Sequence, residues 1–210
     1  MLTVKGEALL EKIGMSKAEF ARDKRWKIII NQEIDIVRYD YAMVIRQARY
    51  EEIPRIIEIC AEARGIMRSD GNMLQWTGGY PSEALIRTDI DGSVGYVIEN
   101  GGCLEGYFAF IPGVEPSYLE IEGGRWLDDS LPYCTIHRLA STRASRGIAR
   151  ACFDWCWEQC RNLRIDTHED NRIMRHCIGS FGFSYCGVIH LRDGSPRLAF
   201  QKLGDSILLT

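Results

Sequence analysis

Between Tyr133 and Gly182 the chain changes its hydrophobic period repeatedly, and few folds accept the run of elements this implies. Tyr133-Cys-Thr-Ile-His-Arg-Leu-Ala140 reads as an apolar strand, and Ala144-Ser-Arg-Gly-Ile-Ala149 turns it directly into a helical pattern. A second strand follows, and Asn171 then opens another helix. A glycine where a strand turns into a helix leaves the first N–H groups of that helix accessible. Those groups lack intrahelical acceptors and sit at the positive end of the helix dipole, so a diphosphate can occupy them. Gly147 provides the opening, and Arg143, Arg146 and Arg150 add positive charge around it. An ordinary glycine turn with solvated arginines would look the same over this short motif, so the surroundings have to decide.

Those surroundings are a chain of 210 residues, enough for one domain with an extension and a core that needs no cross-links. Charged residues make up 26% and nearly cancel, with a formal net charge of -3, so neither nucleic acid nor an anionic membrane is expected as the main partner. No stretch has the apolar length of a membrane span, and Lys5, Glu7, Glu11 and Lys12 interrupt the N-terminus where a signal peptide would be apolar, so a cytoplasmic protein is expected. The eight cysteines include no Cys-x-x-Cys pair and suit reduced thiols. Cys152, Cys156 and Cys160 share a helical face and could in principle present soft ligands, but Phe153, Trp155 and Trp157 mark that helix as apolar, and no metal is expected.

In chain order, residues 1–42 read as an N-terminal extension. Leu9-Leu-Glu-Lys-Ile-Gly-Met-Ser-Lys-Ala-Glu-Phe-Ala21 resembles the opening of a helix-turn-helix, but no groove-reading helix follows. Trp26 to Tyr41 has no clear period and is left unassigned between helix and strand. A main domain over 43–210 begins with a strand at Val44-Ile-Arg-Gln-Ala48 and a helix whose apolar points are Ile53, Ile56, Ile57 and Cys60. After an aromatic, glycine-rich loop, Gln75-Trp-Thr-Gly-Gly-Tyr-Pro81, Ser82 caps a second helix. Asn100-Gly-Gly102 joins two strands as a hairpin, Pro112 ends the second, and the polar connection from Glu115 to Asp129 carries no sustained period. Two strands around Asp193-Gly-Ser-Pro196 close the domain.

From Met43 to Leu203 this order, with a glycine turn after the domain's fourth strand and an asparagine opening the helix after its fifth, resembles the GNAT superfamily of N-acyltransferases. The family's turn is Gln or Arg, two variable residues, Gly, one variable residue, then Gly or Ala. Here Ala144, Ser145, Arg146, Gly147, Ile148 and Ala149 stand in those places, so the first departs, with Arg143 one place earlier. Asn171 and the pair Gly182-Phe183 complete the match.

The resemblance implies an α/β (α+β) fold: a mixed, largely antiparallel sheet flanked by helices, with a V-shaped opening between the fourth and fifth strands. It implies acetyl-CoA in that opening as the acyl donor, its pyrophosphate at the turn from Ser145 to Ala149 and its pantetheine paired with backbone near Leu139 and Ala140. It also implies an amine acceptor. Many members place a tyrosine four residues before the glycine of Gly-Phe, where this chain has Ile178, leaving His176, Tyr185, a water or no dedicated acid. For the base, His137 and His168 are favoured, because the ends of their strands would flank the acceptor. Asp166, Glu169 and Asp170 can orient a histidine, meet a cationic amine or cap a helix, and Trp76, Tyr80 and Trp126 are candidates for the acceptor wall. Two other functions stay open at the level of sequence: a non-catalytic CoA-binding or regulatory protein, and a DNA-binding regulator. Unpaired sheet edges leave a homodimer open as well.

Overall fold

The computed structural model describes Ser16, the backbone of Trp26–Ile30 and Ile34–Arg38, and residues 43–204 with their side chains. The chain divides into two compact units, residues 1–43 with 100–103 and residues 44–99 with 104–210. In the first, β1 (Trp26–Ile30) and β2 (Ile34–Arg38) pair antiparallel, Trp26 opposite Arg38 and Ile30 opposite Ile34. Within the segment without a period, residues 26–30 and 34–38 are therefore strand, decided by their pairing. Apart from Ser16, the stretch from Leu9 to Ala21 that resembles the opening of a helix-turn-helix lies outside the described residues.

The second unit runs β3 (Val44–Gln47), α1 (Ile53–Ser69), α2 (Glu83–Asp91), β4 (Gly95–Asn100), β5 (Cys103–Pro112), β6 (Cys134–Ser141), α3 (Ile148–Gln159), β7 (Asn162–Thr167), α4 (Arg172–Ser180), β8 (Ser184–His190) and β9 (Pro196–Leu203). Local chemistry sets many of these bounds. Pro54 sits in the first turn of α1, where its missing N–H costs nothing, and Ser82 caps α2 by accepting from Leu85 N–H at 3.2 Å. Gly101 and Gly102, with φ of 61° and 80°, make the tight turn from β4 to β5.

The seven strands lie in the order β3-β4-β5-β6-β7-β9-β8. β6 and β7 pair in parallel, while β3–β4, β5–β6, β7–β9 and β8–β9 are antiparallel. This is the mixed, mostly antiparallel α/β sheet that the resemblance implies.

Alternation along the strands divides the core between two faces. On one face Val97, Tyr107 and Ala140 pack under Ile53, Ile56, Ile59, Cys60 and Ala63 of α1 and Ile86 of α2. On the other, Tyr96, Phe108 and Phe110 surround Trp155 of α3, with ring centroids 4.7 to 5.9 Å apart. Past Ile111 the connection between β5 and β6 lies over the first face: Tyr118, Trp126 and Tyr133 pack with Cys186, Ile189 and Ala199. Glu122 bridges to Val188 of β8, and Gly124 lies so close to that strand that a Cβ there would stand 2.0 Å from the Cys186 carbonyl. Among the described residues no helix is long and apolar enough to cross a membrane.

Candidate active site

β6 and β7 pair only over Cys134–Ile136 against Leu163–Ile165. Beyond Ile136, β6 continues to Ser141 beside β5, and β7 continues from Ile165 to Thr167 beside β9. The two strands thus separate, and the backbone of β6 past Ile136 has no β7 partner. This is the V-shaped opening between the fourth and fifth strands of the sheet in chain order.

His137 and Asp166 are the first residues past the last pair on either side. The His137 ring stands with Nε2 3.2 Å from Glu115 Oε2 and Nδ1 3.8 Å from Asp166 Oδ1. Glu115 is held on both sides: its N–H donates to the Tyr133 hydroxyl oxygen at 2.9 Å, and Oε1 accepts from the Ser117 hydroxyl at 2.9 Å. Asp166 Oδ1 accepts from the Tyr118 hydroxyl at 2.7 Å. The hydrogen bond with His137 is the largest influence on the Glu115 carboxyl and, against the opposing effect of burial, lowers its pKa to about 2. Burial and the neighbouring Asp166 push the Tyr118 hydroxyl well above the usual range, so it remains a donor. In the tautomer that donates from Nε2 to Glu115, Nδ1 keeps its lone pair beside Asp166.

At the far end of β6 the turn from Thr142 to Gly147 leads into α3. Gly147 has φ 80°, α3 has no side-chain cap, and its first intrahelical bond is Ala151 N–H to Gly147 O at 2.9 Å. The N–H groups of Ile148, Ala149 and Arg150 precede that bond, as an anion site at a helix start requires. Ser145 and Arg146 lie in this turn, Arg146 exposed. The other two arginines have neighbours of their own. Arg143 donates from its backbone to Glu62 and from its guanidinium to Ser69 Oγ at 3.3 Å, which directs it along α1. Arg150 pairs with Asp154 at 2.8 Å and lies 5.1 Å from the Phe181 ring. Leu139 and Ala140 lie on the part of β6 that β7 has left.

Asn171 caps α4 by accepting from Met174 N–H at 3.1 Å and donates to Gln75 Oε1 at 2.9 Å, which ties the start of α4 to the aromatic loop after α1. His168 is buried in the turn before that cap, where Nδ1 accepts from Asp170 N–H at 3.2 Å. Trp76 and Tyr80 face each other at 5.9 Å in the same aromatic loop, Trp76 partly buried against the α1 cluster and Tyr80 half-exposed. Trp126 is buried, and its indole N–H donates to Tyr118 O at 3.0 Å, so it supports the loop that carries Glu115. Tyr185 lies on β8, which β9 separates from β7. With His176, Arg172, Arg175, Leu198 and Phe200 it lines a shallow concavity of about 520 Å³ on α4 and the β8–β9 hairpin, not the opening between β6 and β7.

Among solved structures, an acetyltransferase of the GNAT family from Streptococcus agalactiae is 36% identical to this chain, covers 78% of it and 96% of its own length, and superposes with a TM-score of 0.72. The chain belongs to the GNAT family of acetyltransferases. A GNAT-family acetyltransferase from Listeria monocytogenes is 18% identical over 76% of this chain and 94% of its own, with a TM-score of 0.58. A ribosomal-protein-alanine N-acetyltransferase from Brucella melitensis is 19% identical over 77% and 99%, with a TM-score of 0.52. These two likenesses show the fold. No family profile and no curated protein sequence matches the chain.

In this GNAT acetyltransferase the groups that converge at the opening come from remote parts of the chain. Glu115 and His137 are 22 residues apart, Tyr118 and Asp166 48. The sequence points to His137 by its place on a strand and to Asp166 as a group able to orient a histidine, whereas the connection bearing Glu115 and Tyr118 reads only as a plausible substrate-facing loop that assigns neither residue a role. The roles of Asp89 and Gln75 were equally hidden. Each is an ordinary polar residue on a helix or loop until its partner 49 or 96 residues away is known.

Proposed function

We propose that the protein is an N-acetyltransferase carrying the acetyl group of acetyl-CoA to a primary amine of a small molecule, an amino-acid derivative or a peptide. The observation that carries this reading is the parting of β6 and β7 directly beyond Ile136, with His137 held between Glu115 and Asp166 at the point of separation. The residues present suit the donor. Gly147, in a left-handed conformation, brings no side chain over the first N–H groups of α3, the groups that would receive the pyrophosphate. Ser145, Arg146, Ile148, Ala149 and Arg150 complete the cradle, with Arg143 beside it, and β6 at Leu139 and Ala140, which has no β7 partner, accepts pantetheine along that side. The Thr167 hydroxyl, buried without a partner at the end of β7, is one more polar group beside the opening. Asn171 belongs to this set as the cap that holds the start of α4.

In the reaction the amine nitrogen attacks the thioester carbon, a C–N bond forms, the C–S bond breaks, and the sulfur leaves as the thiolate of CoA. The attacking nitrogen loses a proton on the way, and His137 Nδ1 takes it, directly or through a water. Glu115 fixes the ring, while Asp166 faces the charge the ring gains. His168, whose ring accepts a hydrogen bond within its own turn, is the second histidine of this reading, and His137 is preferred over it. Most of the acceleration comes from holding amine and thioester together and from backbone donors at the thioester oxygen.

Calorimetric titration of acetyl-CoA into the full chain tests the donor site, with Gly147→Trp as the blocked control and circular dichroism to verify its fold. The parent is expected to bind and the folded variant not to. Release of CoA across a panel of amines then tests transfer, and His137→Gln is expected to lower kcat about 100-fold or more with little change in the KM for acetyl-CoA. A well-folded parent that does not bind acetyl-CoA overturns the proposal.

A further inference from the structure

The strand that borders the opening is itself irregular. Opposite β5, Ala140 pairs with Tyr107 and His137 with Ala109, so Arg138 and Leu139 together face the single residue Phe108. This is a β-bulge, and it begins one residue beyond His137. Arg138 has φ 58°, a left-handed conformation that a long side chain adopts only where its surroundings hold it there.

Those surroundings are specific. The Arg138 guanidinium is forked onto Asp89 of α2, Nε to Oδ2 at 2.9 Å and a terminal nitrogen to Oδ1 at 2.7 Å. Both side chains are almost wholly buried, at 8% and 4% exposure, which removes the pair from the class of surface contacts worth little. The Tyr107 hydroxyl donates to the same Asp89 Oδ2 at 2.7 Å, and its burial, together with Asp89, pushes its pKa up and keeps it a donor. Gly95 leaves room for the arrangement: a Cβ there would stand 3.1 Å from the Tyr107 hydroxyl and 3.2 Å from Asp89 Cβ. The remaining Arg138 nitrogen reaches the Tyr80 hydroxyl at 3.5 Å. A buried ion pair is a poor way to gain stability, since apolar residues of the same volume often do as well. What a forked, planar pair supplies is direction, here for the backbone of Arg138 at the start of the bulge.

We infer that Asp89 is a positioning residue for acyl transfer: from α2, through its fork with Arg138, it holds the β6 bulge in the conformation that directs backbone N–H donors at the thioester carbonyl. The inference rests on the acetyl-CoA reading above. It also links α2, and through the Tyr80 hydroxyl the aromatic loop, to the donor site.

Infrared difference spectroscopy of carbonyl-¹³C acetyl-CoA bound to the full chain tests this without knowledge of the acceptor. In the parent the thioester carbonyl band is expected to move to lower frequency on binding. In Asp89→Asn, which keeps the shape, and in Arg138→Lys, which keeps the charge but loses the fork, the band should lose half or more of that movement while the dissociation constant changes less than about threefold. With an accepted amine kcat should fall about 10- to 100-fold, the scale of a displaced backbone donor. Should Asp89→Asn fail to fold, Arg138→Lys decides alone. A folded variant that keeps the full band shift, even with a lowered Tm, overturns the inference and leaves a structural pair. A parent that does not bind acetyl-CoA overturns the donor reading and this inference with it.

Discussion

The Glu115 carboxyl shows how a single residue reports on the state of the site. Its hydrogen bond with His137 lowers its pKa from 4.5 to about 2. Above the unfolded value both states are ionised, and the contribution to stability is fully present. As pH falls through the window between them, the unfolded chain takes up the proton first, and the contribution is lost by the time pH reaches the folded value. The difference in urea-unfolding free energy between the parent and Glu115→Gln should therefore shrink steadily as pH falls from about 4.5 towards 2. A difference that stays flat across that range would mean that Glu115 and His137 are not paired in solution.

At the scale of the element, the start of α3 depends on a residue that lies outside it. Gly106 of β5 lies beneath the first helical residue, and a Cβ there would stand 2.7 Å from Ile148 Cγ2 and 3.1 Å from Ile98 Cβ. Ile148 is buried, so the helix cannot accommodate the extra carbon without moving its first turn off the sheet. Gly106→Ala is expected to cost about 1 to 3 kcal/mol in urea unfolding, the range for an overpacked core. Because the displaced N–H groups are those proposed to hold the pyrophosphate, acetyl-CoA affinity should fall in parallel. Loss of stability with unchanged affinity would separate the helix start from the anion site.

At the scale of the whole molecule, Arg164 joins the connection between β5 and β6 to the sheet. It is 1% exposed on β7, with its guanidinium 4.0 Å from the Trp126 ring and 3.9 Å from that of Tyr133, and it donates to Asp128 O at 3.0 Å and Asp129 Oδ1 at 2.7 Å. The same connection carries Glu115 and Tyr118 to His137 and Asp166, so its anchorage and the geometry of the site are one matter. Lysine keeps the charge but not the planar guanidinium that lies against both rings. Arg164→Lys should cost about 2 kcal/mol or more in unfolding free energy, within the range for disrupted buried charge, and should lower kcat more than it raises the KM for acetyl-CoA. A variant as stable as the parent would show that the connection is held by its apolar contacts alone.

Much of this architecture was legible in the amino-acid sequence. The order of elements from Met43 onward, the cap at Ser82, the hairpin turn at Gly101 and Gly102, the glycine before α3 and the cap at Asn171 all follow from interactions within a few residues of chain, where period and turn chemistry are explicit. The pairing of β1 with β2 was not, because apolar and polar residues alternate only imperfectly along both strands. Nor were the places of β9 between β7 and β8, the parting of β6 from β7, the fork between Asp89 and Arg138, or the meeting of Glu115 and Tyr118 with His137 and Asp166. Alternation tells which residues of a strand share a face, but not which strand comes to lie beside it or which loop covers that face. Those choices are made by packing between segments far apart in the chain, and here that packing is what assembles the candidate site.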